Sequence, residues 1–270
     1  VPLRQPHRCR PCLPLKNQLP RPEPQKKIPA PPARQCKKFS KYDFLAMPVV
    51  DNEERMVGII TFDDVLDVIA EENEEDFSKM AAMQPIEDSY FKTSVFTHAK
   101  KRIGWLLVLM LSATITGNLL TKYEEAFQAI PILVSFIPML MSTGGNCGSQ
   151  SSTTVIRGLA TGEIQFKDFF KAVFKEFRIS LIISVILAVT NGLRIFIFYK
   201  NLQLSIVITL SIIGTVIIAE FIGCALPLIA KKVKLDPAIM ATPLISTIVD
   251  TCSMLIYFQF ATMIFSELRH

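Results

Sequence analysis

Long apolar stretches follow one another from residue 103 to the end of the chain. About 20 mainly apolar residues in a helix are enough to cross the hydrocarbon core of a bilayer. Five stretches have about this length, although the second one is polar in its latter half. The sequence therefore predicts five membrane-spanning helices, at about residues 103–121, 129–156, 177–199, 204–230 and 239–266.

A shorter pattern precedes the apolar stretches. The segments "AMPVV" and "MVGIIT", separated by the turn "DNEER", predict two strands. The next segment, "TFDDVLDVIAEENEEDF", has apolar residues at helical spacing, and Thr61 followed by Asp64 matches a capping box at its start. We expect residues 39–76 to form a strand–turn–strand–helix unit, which is too small to bury a core alone and should pair with something else.

Residues 1–38 have a different composition, with ten of the seventeen prolines, ten basic residues and one acid, Glu23. Proline removes backbone donors and restricts the residue before it, so this segment is predicted to be disordered, or anomalous as a coding segment. Cys9 and Cys12 lack a second pair of ligands, and no zinc site is expected. No signal peptide is expected at the start of the sequence.

The basic residues around the predicted spans are unevenly distributed. Cytoplasmic loops of membrane proteins carry an excess of Lys and Arg. The amino terminus and the acidic segment are therefore expected in the cytoplasm and the carboxyl terminus outside, with Lys122, Lys200 and Arg269 on the outer side and Arg194 near it. The eleven residues on the cytoplasmic side are Lys100, Lys101, Arg102, Arg157, Lys167, Lys171, Lys175, Arg178, Lys231, Lys232 and Lys234.

The second predicted span contains the sequence "STGGNCGSQSSTT", whose residues are small or polar. Small residues let helices approach closely, and Ser and Thr can hydrogen-bond to carbonyls of their own helix. Asn146 and Gln150 nevertheless share a helix face with Thr143 and Thr154, which makes a polar stripe. Such a stripe at membrane depth should face protein or a water-filled cavity. A phosphate-binding loop is disfavoured, because the P-loop Lys is missing and no strand precedes the stretch.

Asp250 lies near the middle of the fifth predicted span with apolar residues on both sides. A carboxylate there costs several kcal/mol unless it is paired, protonated or bound to a cation. Pro243 is expected to free backbone carbonyls nearby as additional oxygen ligands. Glu220 in the fourth span is less informative, because a protonated Glu can hydrogen-bond to a neighbouring helix, and we do not assign it to the pathway.

Carboxylate, amide, hydroxyl and carbonyl oxygens suit a hard cation such as Mg²⁺. The predicted spans have no His and no clustered Cys, which argues against a soft metal. An acidic segment beside a membrane suggests cations as ligands rather than nucleic acid. Its eight carboxylates repel one another, so they form either a solvated helix face or a sensor that closes when divalent cations bind. They are Asp63, Asp64, Asp67, Glu71, Glu72, Glu74, Glu75 and Asp76.

Two long segments, "PMLMSTGGNCGSQSSTTVIRGLATGEI" and "LDPAIMATPLISTIVDTCSMLIYF", resemble the signature segments of the MgtE family of magnesium transporters. The preceding "AMPVVDNEERMVGIITFDDVLDVIAEENEEDF" resembles the last part of a CBS domain and the connecting, or plug, helix of that family. The resemblance covers residues 39–270. It implies a homodimeric, channel-like Mg²⁺ transporter and not an enzyme, with five membrane helices per chain and a pore lined by spans two and five.

The resemblance also implies roles for single residues. Asp250 and Asn146 would belong to the ion site of the pore, with Asp236 near its cytoplasmic mouth. Further residues expected to line the pore are Thr143, Gly144, Gly145, Gln150 and Thr247. Regulatory Mg²⁺, which closes the pore when internal Mg²⁺ is high, would be bound by Asp64, Asp67, Glu72, Glu75 and Asp76.

We therefore expect a mainly α fold, a five-helix transmembrane bundle preceded by a partial α/β CBS segment. The expected parts are the proline-rich segment 1–38, the CBS part 39–76, a connecting segment 77–102 and a membrane domain 103–270. The family usually has an N-terminal helical domain and two CBS repeats, so the chain is expected to be a truncated member. Its expected place is a cell membrane, with Mg²⁺, lipid and a second copy as partners and no nucleic acid.

Other functions fit parts of the sequence. A proton-coupled divalent cation exporter would use Asp250 or Glu220 as its proton carrier. An intramembrane enzyme is disfavoured, since neither a second catalytic Asp in a partner motif nor a His-Glu-x-x-His motif is found. CBS domains can bind adenine nucleotides through a Thr-x-x-Asp pattern that Thr61 and Asp64 match, but the helix cap already explains this pair.

Overall fold

The computed structural model describes residues 39, 42–51, 53–86, 90–240, 242–265 and 268. These residues belong to two compact units, Val1–Ala70 and Glu71–His270. The predictions for residues 1–38, including disorder and the lack of a zinc site at Cys9 and Cys12, lie outside the described residues.

A two-stranded antiparallel hairpin forms the sheet of the first unit. Strand β1 (Ala46–Val50) pairs with strand β2 (Met56–Thr61). Asp51 fixes the turn between them, because its Oδ1 accepts hydrogen bonds from the backbone N–H groups of Glu53 and Arg55 at 2.8 and 2.9 Å. Both strands predicted from the sequence are confirmed.

Helix α1 (Phe62–Met80) begins directly after β2. The Thr61 hydroxyl donates a hydrogen bond to Asp64 Oδ2 at 2.6 Å, and the Thr61 N–H donates to the same oxygen at 2.9 Å. These two bonds, the hydroxyl bond first, lower the pKa of the Asp64 carboxyl. The predicted cap at the start of the helix is therefore confirmed. The buried residues of this unit's small core are Phe39, Ile60 and Val65.

Six further helices are described in the second unit. They are α2 (Val95–Lys122), α3 (Glu124–Ala129), α4 (Ile137–Thr161), α5 (Phe169–Tyr199), α6 (Leu202–Lys232) and α7 (Thr242–Ile264). Short 3-10 turns precede three of them, at Pro131–Phe136, Phe166–Asp168 and Pro237–Met240. The mainly α fold that the sequence predicts, with a small two-stranded segment before the bundle, is confirmed.

The predicted span at residues 129–156 differs most from the observed helix. Helix α3 ends at Ala129 and a 3-10 turn follows, so the continuous helix α4 starts only at Ile137. Proline has no N–H to donate and fits the first turn of a helix, and Pro131 and Pro138 both occupy such positions. At the other end, Gly162 terminates α4 with φ of 78°, a left-handed conformation that glycine adopts at low cost.

Four helical segments of the described chain are long and apolar enough to cross a membrane. They are Val95–Lys122, Phe166–Tyr199, Leu202–Lys232 and Pro243–Ile264. Helix α4 has 25 residues, which is also a spanning length, but its polar residues keep its hydropathy below that of the other four. A crossing by α4 therefore stays a prediction, and it depends on what the polar side chains of α4 face.

Helix α6 is the centre of the second unit, because it packs against α4, α5 and α7. Its apolar residues that are fully buried include Leu204, Val207, Ile208, Ile212 and Val216. Helix α2 contrasts with it: none of its residues is buried, and its main contact is with α7. The core that holds the functional residues in place is therefore built by α4 to α7.

Glycines bring α4 and α6 into close contact. A Cβ atom added at Gly223 of α6 would overlap the Gly148 carbonyl oxygen of α4 and lie 3.0 Å from the Ser151 Cβ. Backbone cannot move away as a flexible side chain can, so the distance between the two helices depends on the missing Cβ.

We predict that Gly223→Ala lowers the free energy of unfolding by about 1–3 kcal/mol, the usual cost of overpacking a core. Gly104→Ala is the matched control, since a Cβ at Gly104 meets no atom within 4 Å and alanine favours a helix. Thermal unfolding of the detergent-solubilised chain measures both. Equal melting temperatures for the two variants would show that the α4–α6 contact is not tight.

Candidate functional site

Helix α4 has two chemically different faces. Residues three, four and seven apart lie on the same side of a helix, and the small and polar residues of α4 separate on that basis. The buried face carries Gly144, Gly145, Gly148, Ser151 and Ser152. The opposite face is open to the surface and carries Asn146, Ser149, Gln150, Thr153 and Thr154, which we call the polar stripe.

The buried face of α4 packs against α6 and α7. A Cβ at Gly144 would come within 2.8 Å of Val249 Cγ1 and Ser253 Oγ, and a Cβ at Gly145 within 3.3 Å of Ser246 Oγ. These contacts support the packing explanation for the two glycines, and their pore-lining role stays a prediction. Thr143 is half-buried beside them, and its hydroxyl donates to the Met139 carbonyl at 2.8 Å.

The polar stripe lines a shallow groove of about 490 Å³. The Ser149 hydroxyl donates to the Gly145 carbonyl at 2.7 Å, and the Thr154 hydroxyl donates to the Gln150 carbonyl at 2.9 Å. These hydroxyl hydrogens therefore point to the helix backbone. The exposed amide side chains of Asn146 and Gln150 supply carbonyl oxygens and N–H groups to the groove.

Asp250 lies half-buried on α7, in a separate cavity of about 230 Å³. Thr247, one helical turn earlier, lines the same cavity, and its hydroxyl donates to the Pro243 carbonyl at 3.0 Å. The other walls come from α2, with Thr116 and Gly117, and from the start of α4. Asp250 and Thr247 thus line one cavity, and their role in a pore stays a prediction.

Asn146 and Asp250 do not line the same cavity of the described chain. The α4 residues that lie close to α7 include Gly144, Gly145 and Gly148, whereas Asn146 is on the opposite face of α4. The described chain thus does not bring these two side chains into one site.

Two further residues have surroundings that the sequence did not indicate. Pro243 lies in the first turn of α7, where its missing N–H interrupts no helical hydrogen bond, so it frees no carbonyl near Asp250. Glu220 is 2% exposed in the packed interior of the bundle. The Ser151 hydroxyl lies 3.2 Å from the Glu220 backbone carbonyl and donates to Glu176 Oε2 at 3.1 Å. Ser151, Glu176 and Glu220 thus form a polar cluster between α4, α5 and α6.

A second cluster of charges joins the end of α1 to the turn before α7. Lys79 Nζ lies 2.6 Å from Asp236 Oδ2 and 2.6 Å from Glu75 Oε1. The other carboxylate oxygen of Asp236 accepts a hydrogen bond from the Ala238 N–H at 2.9 Å. Asp76 and Asp236 line one cavity of about 210 Å³. We call this group the mouth cluster: Glu75, Asp76, Lys79 and Asp236.

The pKa values of two groups in the mouth cluster, Asp76 and Lys79, are shifted. Burial, and after it the neighbouring Asp236 carboxylate, raises the pKa of Asp76 above its ordinary 3.8. The state in which Asp76 lies beside Asp236 therefore binds a proton more readily than a state in which they are apart. Raising the pH through the pKa of Asp76 removes this proton and disfavours the state in which the two groups are close. Burial disfavours the charged form of Lys79, but its hydrogen bonds to Asp236 and Glu75 outweigh burial and raise its pKa. A second cation near Asp76 would relieve the remaining repulsion.

The other expected regulatory acids lie elsewhere. Asp64 belongs to the helix cap in the first unit, and Asp67 and Glu72 are exposed on α1. Within the described ranges, no group of three or more Asp, Glu, His or Cys side chains is positioned to hold a metal ion. Mg²⁺ usually keeps several waters and uses one or two carboxylates, so the Asp76–Asp236 pair fits this ion even without a third ligand.

Lys79 was not singled out in the sequence, although it is the central cation of the mouth cluster. One signal was present, since Lys79 and Arg55 are the two basic residues among thirteen acids in residues 51–88. The i,i+4 spacing from Glu75 is also visible in the sequence. The contact with Asp236, which is 157 residues away along the chain, is not.

Comparison with known proteins gives consistent matches. Residues 137–260 match the family described as MgtE, divalent cation transporter, and residues 30–71 match the CBS domain. The magnesium transporter MgtE of Bacillus subtilis (strain 168) is 38% identical over 224 residues, 83% of this chain and 49% of the relative. The magnesium transporter MgtE of Thermus thermophilus is 34% identical over 226 residues, 84% of this chain and 50% of the relative.

A third relative is the magnesium transporter MgtE of Enterococcus faecalis, which is 32% identical over 222 residues. That alignment covers 82% of this chain and 48% of the relative. The chain thus spans about half the length of the curated relatives that it matches.

We predict that Lys79→Gln loosens the end of α1, because it leaves Glu75, Asp76 and Asp236 close together without their cation. Hydrogen exchange of backbone amides 71–80, measured by mass spectrometry in chelator-treated detergent solution, should become about tenfold faster, as expected when charged hydrogen bonds are lost. Lys79→Arg keeps the charge and should exchange like the original chain. Unchanged exchange in Lys79→Gln would contradict a stabilising role for the cluster.

Proposed function

Because the chain belongs to the MgtE family of divalent cation transporters, we propose that it conducts Mg²⁺ across a membrane through a pore formed by two copies. The observation that carries this proposal is the exposed polar stripe on α4. The relatives of the chain are named as magnesium transporters, and this name indicates Mg²⁺ as the ion. The remaining steps follow from the chemistry of the stripe, of Asp250 and of the mouth cluster.

The polar stripe argues for a second copy. Within one chain, Asn146, Gln150, Thr153 and Thr154 are exposed on a helix of spanning length. In hydrocarbon, such side chains lose their hydrogen bonds to water, so they have to face protein or a wet cavity. A second copy with the same stripe turned toward the first would enclose a polar pathway, and two-fold pairing of identical surfaces is the commonest arrangement of homo-oligomers.

Asp250 supplies the charge of this pathway. A half-buried carboxylate on a membrane helix requires a partner, and a cation in the pathway provides one. Mg²⁺ dehydrates reluctantly, so fixed oxygens of Asn146, Gln150 and the Thr residues would contact its retained waters. Conduction is then passive, driven by about 2.3 kcal/mol per elementary charge for each 100 mV of membrane potential.

The mouth cluster is the proposed regulatory site. Asp236 lies in the turn before α7, which carries Asp250, so α1 contacts the segment that leads into the pathway. A Mg²⁺ ion near Asp76 and Asp236 would cancel their repulsion and favour the contact of α1 with this turn. High internal Mg²⁺ would thereby shift the population toward a closed state, with Asp64, Asp67, Glu72 and Glu75 as further carboxylates that attract the ion.

The orientation follows from the charges at the helix ends. Lys100, Lys101 and Arg102 lie near the start of α2, and Lys231 and Lys232 lie at the end of α6. Placing these ends in the cytoplasm agrees with the rule that cytoplasmic loops carry an excess of Lys and Arg. The mouth cluster then faces the cytoplasm, where it would meet internal Mg²⁺.

We predict that Asp250→Ala reduces Mg²⁺ influx to the level of protein-free vesicles. The full chain is reconstituted in vesicles with an imposed potential, and an enclosed fluorescent indicator reports Mg²⁺ entry. Glu220→Gln is the matched control, because it also removes an acidic group but keeps the hydrogen-bonding shape of a side chain outside the proposed pathway.

The two variants separate the proposed mechanism from a proton-coupled one. Influx that survives in Asp250→Ala would contradict the assignment of the pore charge. Influx that is lost in Glu220→Gln and follows the pH gradient at fixed potential would instead support a proton-coupled exporter.

A further inference from the structure

Two glutamates meet in the interior of the bundle, and the proposed pathway does not use them. Glu176 of α5 is 8% exposed and Glu220 of α6 is 2% exposed. Their carboxyl groups are hydrogen-bonded to each other. The Ser151 hydroxyl of α4 donates to Glu176 Oε2 at 3.1 Å, so three helices meet at this point. We call Glu176 and Glu220 the glutamate pair.

Basic side chains do not neutralise the glutamate pair. In the part of the chain that the structure describes, neither Glu176 nor Glu220 forms an ion pair with Lys, Arg or His. The basic residues of the three helices near the pair are exposed instead. They are Arg157 on α4, Lys171, Lys175 and Arg178 on α5, and Lys231 and Lys232 at the end of α6.

The other titratable groups around the pair do not supply a positive charge either. The thiols of Cys147 on α4 and Cys224 on α6 interact electrostatically with the pair, and a thiol carries no positive charge at any pH. In the turn before α5, Asp168 lies beside Lys171. On α7, Asp250 lines the separate cavity described above.

A hydrogen bond between two carboxyl groups requires a proton. An ionised carboxylate only accepts hydrogen bonds, so one of the two groups has to be a carboxylic acid that donates. Two carboxylates in contact also repel each other, and in a buried site without a cation they do not both ionise. The geometry therefore leaves room for one negative charge and one proton.

We propose that the glutamate pair is a proton-binding site, in which Glu220 is a carboxylic acid and Glu176 is the carboxylate that accepts its hydrogen bond. The direction follows from the donors. Glu176 already accepts from the Ser151 hydroxyl, so it collects two hydrogen bonds that stabilise a negative charge. Glu220 is the more buried of the two, and burial favours the neutral form.

The proton holds α5 against α4 and α6. Without it, two negative charges would face each other between α5 and α6, and the two helices would separate or admit water. The pair is therefore a pH-sensitive contact. It lies on the buried side of α4, behind the polar stripe, so it helps to fix the helix that carries the stripe.

A metal cation between two carboxylates is the competing explanation, and the packing argues against it. Gly148 of α4 and Gly223 of α6 lie one turn from Ser151 and Glu220, and a Cβ at Gly223 would overlap the Gly148 carbonyl oxygen. Mg²⁺ usually keeps several of its waters. A hydrated ion does not fit at so close a contact beside a side chain that is 2% exposed.

Infrared spectroscopy locates the proton without measuring conduction. A carboxylic acid and a carboxylate absorb at separate frequencies, and the purified full chain is measured in detergent near neutral pH. The difference between the original chain and Glu220→Gln should contain the carbonyl band of one carboxylic acid. The difference between the original chain and Glu176→Gln should contain carboxylate bands only. Glu163→Gln, at an exposed glutamate, is the matched control and should also give carboxylate bands only.

The pH dependence of unfolding provides a second readout. Glutamates of an unfolded chain ionise near about pH 4.3, so above this pH the folded chain holds one proton more, and raising the pH favours unfolding. Glu220→Gln keeps a donor toward Glu176 but has no proton to lose. Between about pH 5 and about pH 8, the folding equilibrium constant of the original chain should fall relative to Glu220→Gln by up to about tenfold per pH unit.

Three results would overturn the proposal. The first is a Glu220→Gln difference without a carboxylic acid band, which would mean that both groups are ionised around a cation. The second is a carboxylic acid band that Glu176→Gln also removes, which would contradict the placement of the proton on Glu220. The third is the same pH dependence of unfolding in the original chain and in Glu220→Gln. If Glu176→Gln does not fold, the Glu220→Gln spectrum and the pH series decide the question by themselves.

Discussion

Polar side chains inside a bilayer have to meet water, an ion or another polar group, and in the proposed membrane crossing of α4 its polar stripe is subject to this constraint. Asn146, Gln150, Thr153 and Thr154 lie on the outside of the described bundle. In the described residues, the contact of α4 with α6 and α7 is made by the opposite face of α4, so these two helices do not cover the stripe. In the proposed dimer, the stripe therefore determines where a wet pathway is possible.

The small residues of α4 and its polar residues serve different purposes on opposite faces. Gly144, Gly145 and Gly148 allow α6 and α7 to approach, and this tight packing fixes the rotation of α4. With that rotation fixed, Asn146 and Gln150 are held outward without needing contacts of their own. Packing and function are thus linked through geometry, and a change at a buried glycine would also turn the stripe.

Local features of this fold are predictable from the sequence, and the contacts between distant segments are not. The two strands and the Thr61–Asp64 cap depend on neighbouring residues, so the pattern locates them correctly. The interruption of the helix before α4 depends on Pro131 and Pro138. A prediction made from the apolar residues alone takes no account of these two prolines. Sequence periodicity also detects the polar stripe, but it does not show which side of α4 is buried.

The candidate site shows the same limit. The acids of the mouth cluster were identified through family resemblance, yet the bond between Lys79 and Asp236 joins residues 157 positions apart. Likewise, the resemblance places Asn146 and Asp250 in one ion site, whereas the two residues line separate cavities of the described chain. Such relations depend on how whole helices pack, and no local pattern encodes them.

The claim that two polar stripes face each other is tested most directly by photo-crosslinking in the membrane. The photoreactive residue benzoylphenylalanine replaces Gln150 in one variant and Leu193, which is 58% exposed on α5, in another. Irradiation of membranes containing the full chain should produce a crosslinked dimer on a denaturing gel from position 150 and not from position 193. A dimer band that is missing from position 150, or equally strong from both positions, would contradict the account.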